Sequence, residues 1–176
     1  MKMQSVAGTG ETPVLCEDFV NDMTKPLYVV AQESNFANNC QHAEALADRL
    51  LVDHPELGKK VCRALLCSRD DARLAITETI KFVWLAAMTS EGRLTPSHRV
   101  DLAWHELILF TFIYHEFCHQ QFGKFVHHHP GDSHQVNRQQ FANTLRCYRE
   151  TFGHPPQDYW GNFGDHSLTC GNCESA

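Results

Sequence analysis

The sequence predicts an all-α fold, a single domain of five to six packed helices followed by an irregular, Cys-containing tail. Three observations carry that expectation. Apolar residues recur at a period near 3.6 in successive segments. Matched start and stop residues bracket most of those segments. Only one run, Leu27 to Ala31, has the β-branched and aromatic character of a strand.

In chain order, residues 1–13 are polar and Gly/Thr-rich and are expected to be loosely ordered. The helical domain is expected over 14–156. Asn38 or Asn39 can cap a helix carrying Ala43, Leu46, Ala47, Leu50 and Leu51. Pro55 suits the first position of a helix running through Val61, Leu65 and Leu66, where its missing N–H costs nothing. Ser68 caps the next helix, and Asp70 and Asp71 complement the positive end of its dipole. That helix carries Leu74, Ile76, Ile80, Val83, Trp84, Ala87 and Met88, and Glu91-Gly92 should end it. Thr95-Pro96-Ser97 opens a helix expected to continue through Trp104 and Phe112 to about Phe122, where Gly123 stops it. A His/Gly/Pro loop spans 127–133. A last helix over 135–151 has Val136, Phe141, Leu145 and Tyr148 as its stripe, and Gly153, Pro155 and Pro156 break it. Residues 157–176 read as an irregular tail.

The chain has 176 residues, 20% of them charged and 43% hydrophobic, which fits one folded domain rather than a disordered segment. Fifteen Lys and Arg against 21 Asp and Glu give a formal charge of −6. Nucleic acid is therefore not an expected partner, since phosphate contact needs clustered cations. Apolar runs such as Leu107 to Ile113 are far too short to cross a bilayer, and no apolar stretch follows the N-terminal Met-Lys. The expectation is a cytoplasmic protein with no membrane partner, its thiols reduced. There is no internal repeat, no phosphate-cradling glycine loop and no G-x-S-x-G turn. The residues leave open whether a protein or a small molecule is the partner, and whether the chain is an enzyme.

Two counts point to metal chemistry. The chain is histidine- and cysteine-rich, with twelve His and eight Cys, the side chains that bind zinc and other borderline or soft metals. On a continuous helix, Asp101, His105, His115, Glu116 and His119 share a sector roughly 100° wide. The remaining faces are largely apolar, so the helix is expected to be buried all round and its ionisable stripe paired or metal-bound. The stripe has two ends. Asp101 and His105 are one turn apart, as are His115 and His119, but the ten residues between His105 and His115 rise about 15 Å. One metal ion cannot hold both ends. The loop His127-His128-His129 follows soon after Gly123 and is expected nearer the His115/His119 end.

His115-Glu116-Phe117-Cys118-His119 is an H-E-x-x-H string, the zinc-plus-general-base arrangement of metalloproteases. His127, His128 or His129 could supply a third ligand, yet the spacing misses the metzincin pattern and a β-sheet edge for substrate is lacking. The alternative for the Asp101/His105 pair is structural, the carboxylate fixing the imidazole tautomer. Cys170-Gly171-Asn172-Cys173 has C-x2-C spacing, but no second such knuckle completes a zinc site.

The segment Thr95-Pro96-Ser97-His98-Arg99-Val100-Asp101-Leu102-Ala103-Trp104-His105, with Tyr114, Cys118, Phe122-Gly123 and Phe125-Val126-His127-His128-His129-Pro130, resembles a known pattern. It is similar to the poorly characterised glycine-rich domain-containing protein-like family, most closely over about residues 75–131. The resemblance implies an α-helical domain without a settled activity. The positions it marks are Asp101, Trp104, His105, Tyr114, Cys118, Gly123, His127, His128 and Pro130. His115, Glu116 and His119 lie outside the pattern. The expected function is metal binding, with zinc or iron held by ligands drawn from His105, His127 and His128, and Asp101 or Cys118 nearby. If the protein is an enzyme, the metal would activate water or oxygen. The alternatives are a helical interaction module with structural Asp–His pairs, and an H-E-x-x-H zinc hydrolase.

Overall fold

The structure is a computed structural model that describes residues 27–90, 92–129 and 133–161. The expectations for residues 1–13, Pro130 and the C-x2-C pair therefore lie outside the described residues. Among the described residues seven helices follow one another: α1 (Leu27–Asp53), α2 (Pro55–Leu65), α3 (Arg69–Met88), α4 (His98–Leu109), α5 (Thr111–Phe122), α6 (His134–Phe152) and α7 (Gln157–Trp160). No strand occurs among the described residues, so the all-α expectation holds.

Several boundaries fall where the capping residues put them. Pro55 opens α2. Ser68 and Ser97 accept hydrogen bonds from the backbone N–H of Asp71 (3.1 Å) and Val100 (3.3 Å). Gly123 ends α5 in the left-handed region at φ 69°, a conformation that costs a residue with a Cβ.

Four expectations need correction. Leu27 to Ala31 is helical, not a strand, and α1 runs straight through Asn38 and Asn39. Asn39 is no cap of its own helix. Its side-chain amide donates to the carbonyl of Thr151 in the last turn of α6 (2.9 Å). The expected helix from 97 to about 122 is two helices, broken at Phe110 (φ −83°, ψ 60°). Finally, the segment from 157 starts with the one-turn α7, which sends Tyr159 and Trp160 into the core.

The centre of the molecule is α3. It contacts α1, α2, α4, α5 and α6. Twelve of its residues are buried, Ala72, Ile76, Ile80, Phe82 and Val83 among them, so this helix, not α4 or α5, is enclosed all round. Around it most aromatic pairs of the core are edge-to-face or tilted, while Phe141 and Trp160 stack at 6.3 Å. Phe82 meets Trp104 at 5.1 Å, and Trp160 meets Tyr148 at 5.2 Å between centroids.

Inside this core lies a polar network that the sequence pattern did not announce. Glu78 and Lys81 are almost wholly buried and pair at 2.8 Å. Tyr148 Oη and Trp160 Nε1 both donate to Glu78 Oε2, at 2.8 and 2.7 Å. Lys81 Nζ also donates to Tyr148 Oη (3.1 Å). Each buried charge thus has partners for its lone pairs or protons, which is the condition for tolerating it. The network ties α3 to α6 and α7.

Candidate metal centre

The break at Phe110 positions the site. In a continuous helix Trp104 and Tyr114 would be separated by about 15 Å of rise. Here Trp104 Nε1 donates to Tyr114 Oη at 3.1 Å. Tyr114 Oη in turn donates to the carbonyl of Val126 at 2.7 Å. This chain of bonds joins α4, α5 and the loop after α5, and all three residues are buried. Burial, and next the neighbouring Cys118, pushes the Tyr114 phenol far above its ordinary range, so it stays a neutral donor.

With Val126 fixed, the loop runs back to the start of α4 instead of remaining with His115 and His119. His128 Nε2 comes to 3.1 Å from Asp101 Oδ1. Its ring lies 4.6 Å from that of Trp104 and 4.4 Å from that of His105. His105 Nδ1 is 2.8 Å from the backbone oxygen of Asp101 and 3.5 Å from its Oδ2. A carbonyl can only accept, so Nδ1 carries the proton and Nε2 keeps its lone pair. One donor atom from each of Asp101, His105 and His128 lies within 4.8 Å of the others, a group of the kind that holds a metal ion.

The three side chains grade from inside to outside. That of Asp101 is 7% exposed, that of His128 20% and that of His105 51%. The buried carboxylate is held by its neighbours, and the imidazole of His105 borders solvent. The group opens on a cavity of about 250 Å³ whose lining includes Asp101, Trp104, Phe82, Arg93, Lys124 and His128.

The other residues expected at a site are placed elsewhere. His127 is exposed and packs its ring against Phe125 at 4.8 Å; it lines the cavity but lies outside the group of three. Cys118 is fully buried on α5, outside the group of three, and burial pushes its thiol up, away from the thiolate a metal requires. His115, Glu116 and His119 are exposed on α5. The rings of His115 and His119 meet at 4.4 Å, but among the described residues no third donor joins them. The triple-His loop thus lies at the other end of the stripe from the one expected, because the break at Phe110 ends the continuous helix on which that expectation rests.

A family model, UCP032817-like, matches residues 32–152, more than two-thirds of the chain and every residue of the candidate centre. The chain belongs to the UCP032817-like family. That family is uncharacterised, and the match supports neither the glycine-rich naming nor the motif pattern of the resemblance described above. No curated protein and no solved structure gives a significant match. Function therefore rests on the site itself.

Proposed function

We propose that this UCP032817-like protein binds one divalent metal ion, zinc or iron, through Asp101, His105 and His128. The observation that carries the reading is the 3.1 Å separation of His128 Nε2 and Asp101 Oδ1. Ligands about 2.1 Å from a common metal ion stand roughly 3.0–3.4 Å apart in octahedral or tetrahedral geometry. The pair is already at that spacing. His105, whose donor atom lies within 4.8 Å of the other two, closes the set by a shift of its half-exposed ring. Two imidazoles and a carboxylate suit iron(II) and zinc alike. Three protein ligands leave positions open, as in centres that act on a bound molecule rather than staple a fold. A metal there would supply Lewis acidity or activate water or oxygen.

The chain's own residues do the rest. Asp101 holds the tautomer of His105 through its backbone carbonyl, which leaves Nε2 of that ring to a metal. Trp104 packs against His128, and Tyr114 and Val126 hold the loop that carries it. The test is the metal content of untagged protein by elemental mass spectrometry. About one zinc or iron per chain, lost in His128→Ala and retained in His115→Ala, supports the assignment. Loss with His115→Ala instead would revive the H-E-x-x-H hydrolase. No stoichiometric metal in any sample would favour the interaction module with structural Asp–His pairs.

A further inference from the structure

The end of α2 sets two thiols side by side. Leu66, which follows the last residue of that helix, has φ 51° and ψ 44°, the left-handed region that a side chain makes unfavourable. Among the described residues it is the one non-glycine with positive φ. The turn it permits is a Schellman cap, in which the N–H of Cys67 donates to the carbonyl of Cys62 at 3.0 Å. Such a cap brings the side chains of the two bonded residues into contact. The main-chain bond also keeps their Cα atoms within the roughly 4.4–6.8 Å that a disulfide spans. Both residues are half-buried and both thiols are free. Burial pushes the Cys67 thiol up, and the Cys62 thiol beside it adds to the rise. Cys62 Sγ donates to the carbonyl of Ser68 at 3.5 Å. Cys62 also lines a cavity of about 180 Å³, with Leu51, Pro55, Lys59 and Arg69 around it.

We propose that Cys62 and Cys67 form a thiol–disulfide exchange site, closed to an intramolecular disulfide by small-molecule disulfides and reopened by small thiols. In the first step the Cys62 sulfur, as thiolate, attacks one sulfur of the reagent. The reagent's S–S bond breaks, a mixed disulfide forms on Cys62, and the departing small thiolate takes up the proton that Cys62 lost. In the second step Cys67 gives up its proton and its sulfur displaces the other small thiol from Cys62. The chain loses two electrons and two protons, and the reagent gains both and becomes two thiols. Entry is at Cys62 because it lines the cavity, whereas burial holds Cys67 back from the thiolate. The second step needs no encounter, since the cap already holds the sulfurs together. Two other uses of the pair fit less well. Zinc needs further ligands, and among the described residues the donors that meet in a group of three are Asp101, His105 and His128, not these thiols. A stabilising staple gains most from closing a long loop, and this one runs only from residue 62 to 67.

The experiment equilibrates the untagged full chain in glutathione buffers of graded oxidised-to-reduced ratio, blocks free thiols with N-ethylmaleimide in acid, and maps tryptic peptides by mass spectrometry. Cleavage after Arg63 separates the two cysteines, so the disulfide shows as residues 61–63 linked to residues 64–69. That linked pair is expected from the folded parent chain, and excess reduced glutathione should open it again. Cys67→Ser should stop at glutathione bound to Cys62, while Cys147→Ser, altered on α6, should close the bond as the parent does. In concentrated urea, where the cap is gone, the equilibrium constant for closure should fall about tenfold or more. The mapping and the urea comparison both use the parent chain, so neither depends on a variant folding. Glutathione retained on either cysteine without closure, linkage of Cys62 or Cys67 to a different cysteine, or equal closure in urea would each overturn the proposal. Bound zinc that Cys67→Ser removes and His128→Ala leaves in place would overturn it too, by making the pair a metal site.

Discussion

His128 reaches across 27 residues of chain to place its Nε2 3.1 Å from Asp101 Oδ1. The carboxylate is buried at the start of α4, and the imidazole sits on a loop beyond α5. Asp101→Asn keeps the shape and one oxygen acceptor but removes the charge. It is expected to weaken metal binding by about 10- to 100-fold or more, read by competition with a chromophoric chelator. Unchanged affinity would exclude Asp101 as a ligand or as the residue that orients the ligands.

Tyr114 is the piece that brings those two residues together. Tyr114→Phe leaves Trp104 Nε1 without its acceptor and the carbonyl of Val126 without its donor, both buried. The expected cost is about 1–3 kcal/mol, at roughly 2–4 °C of Tm per kcal/mol for a chain of this size. Metal affinity should fall as well, because the loop carrying His128 loosens. A loss of stability with unchanged affinity would show that the loop is held by other contacts.

The core network gives a stability prediction independent of the site. Glu78→Ala strands the ammonium of Lys81 in the core and should cost about 3–5 kcal/mol in chemical denaturation. The double change Glu78→Leu/Lys81→Met should recover part of that loss, since it removes both charges. If the single variant is nearly neutral, the pair is hydrated in solution.

Alkaline pH is expected to destabilise the fold through two tyrosines. Burial pushes the Tyr114 and Tyr148 phenols well above their ordinary range, with Cys118 adding to the first and Glu78 to the second. In the unfolded chain each ionises near pH 10. Above that pH the unfolded state holds fewer protons than the native one, so stability falls as pH rises, by about 1.4 kcal/mol per pH unit per tyrosine. Below pH 10 neither contributes to the slope. Denaturant midpoints measured between pH 8 and 11 check this, and Tyr148→Phe should flatten the decline. A flat profile through pH 11 would contradict it.

Much of the fold was legible because its punctuation is local. Pro55, Ser68, Ser97 and Gly123 act on backbone groups within a turn of themselves, so sequence spacing is enough to place them. The Asp101/His105 half of the site was legible for the same reason, being one turn apart on a helix. The break at Phe110 was not, because neither Gly nor Pro marks it. It is held by the tertiary bonds from Trp104 to Tyr114 to Val126, which no local pattern encodes. Missing that break carried the His127–His129 loop to the wrong end and kept His115, Glu116 and His119 on the same stripe as Asp101. The Glu78–Lys81 pair was hidden in a different way. Charged residues inside an apolar stretch read as solvent-facing, and only the return of Tyr148 and Trp160 shows them buried.

The most direct test is an anomalous-diffraction map at the metal absorption edge, from crystals of the full chain grown with zinc or iron(II). One strong peak is expected about 2.1 Å from donor atoms of Asp101, His105 and His128, with solvent completing it on the cavity side. A peak bounded by His115 and His119, or no ordered peak in crystals that hold the fold, would contradict it.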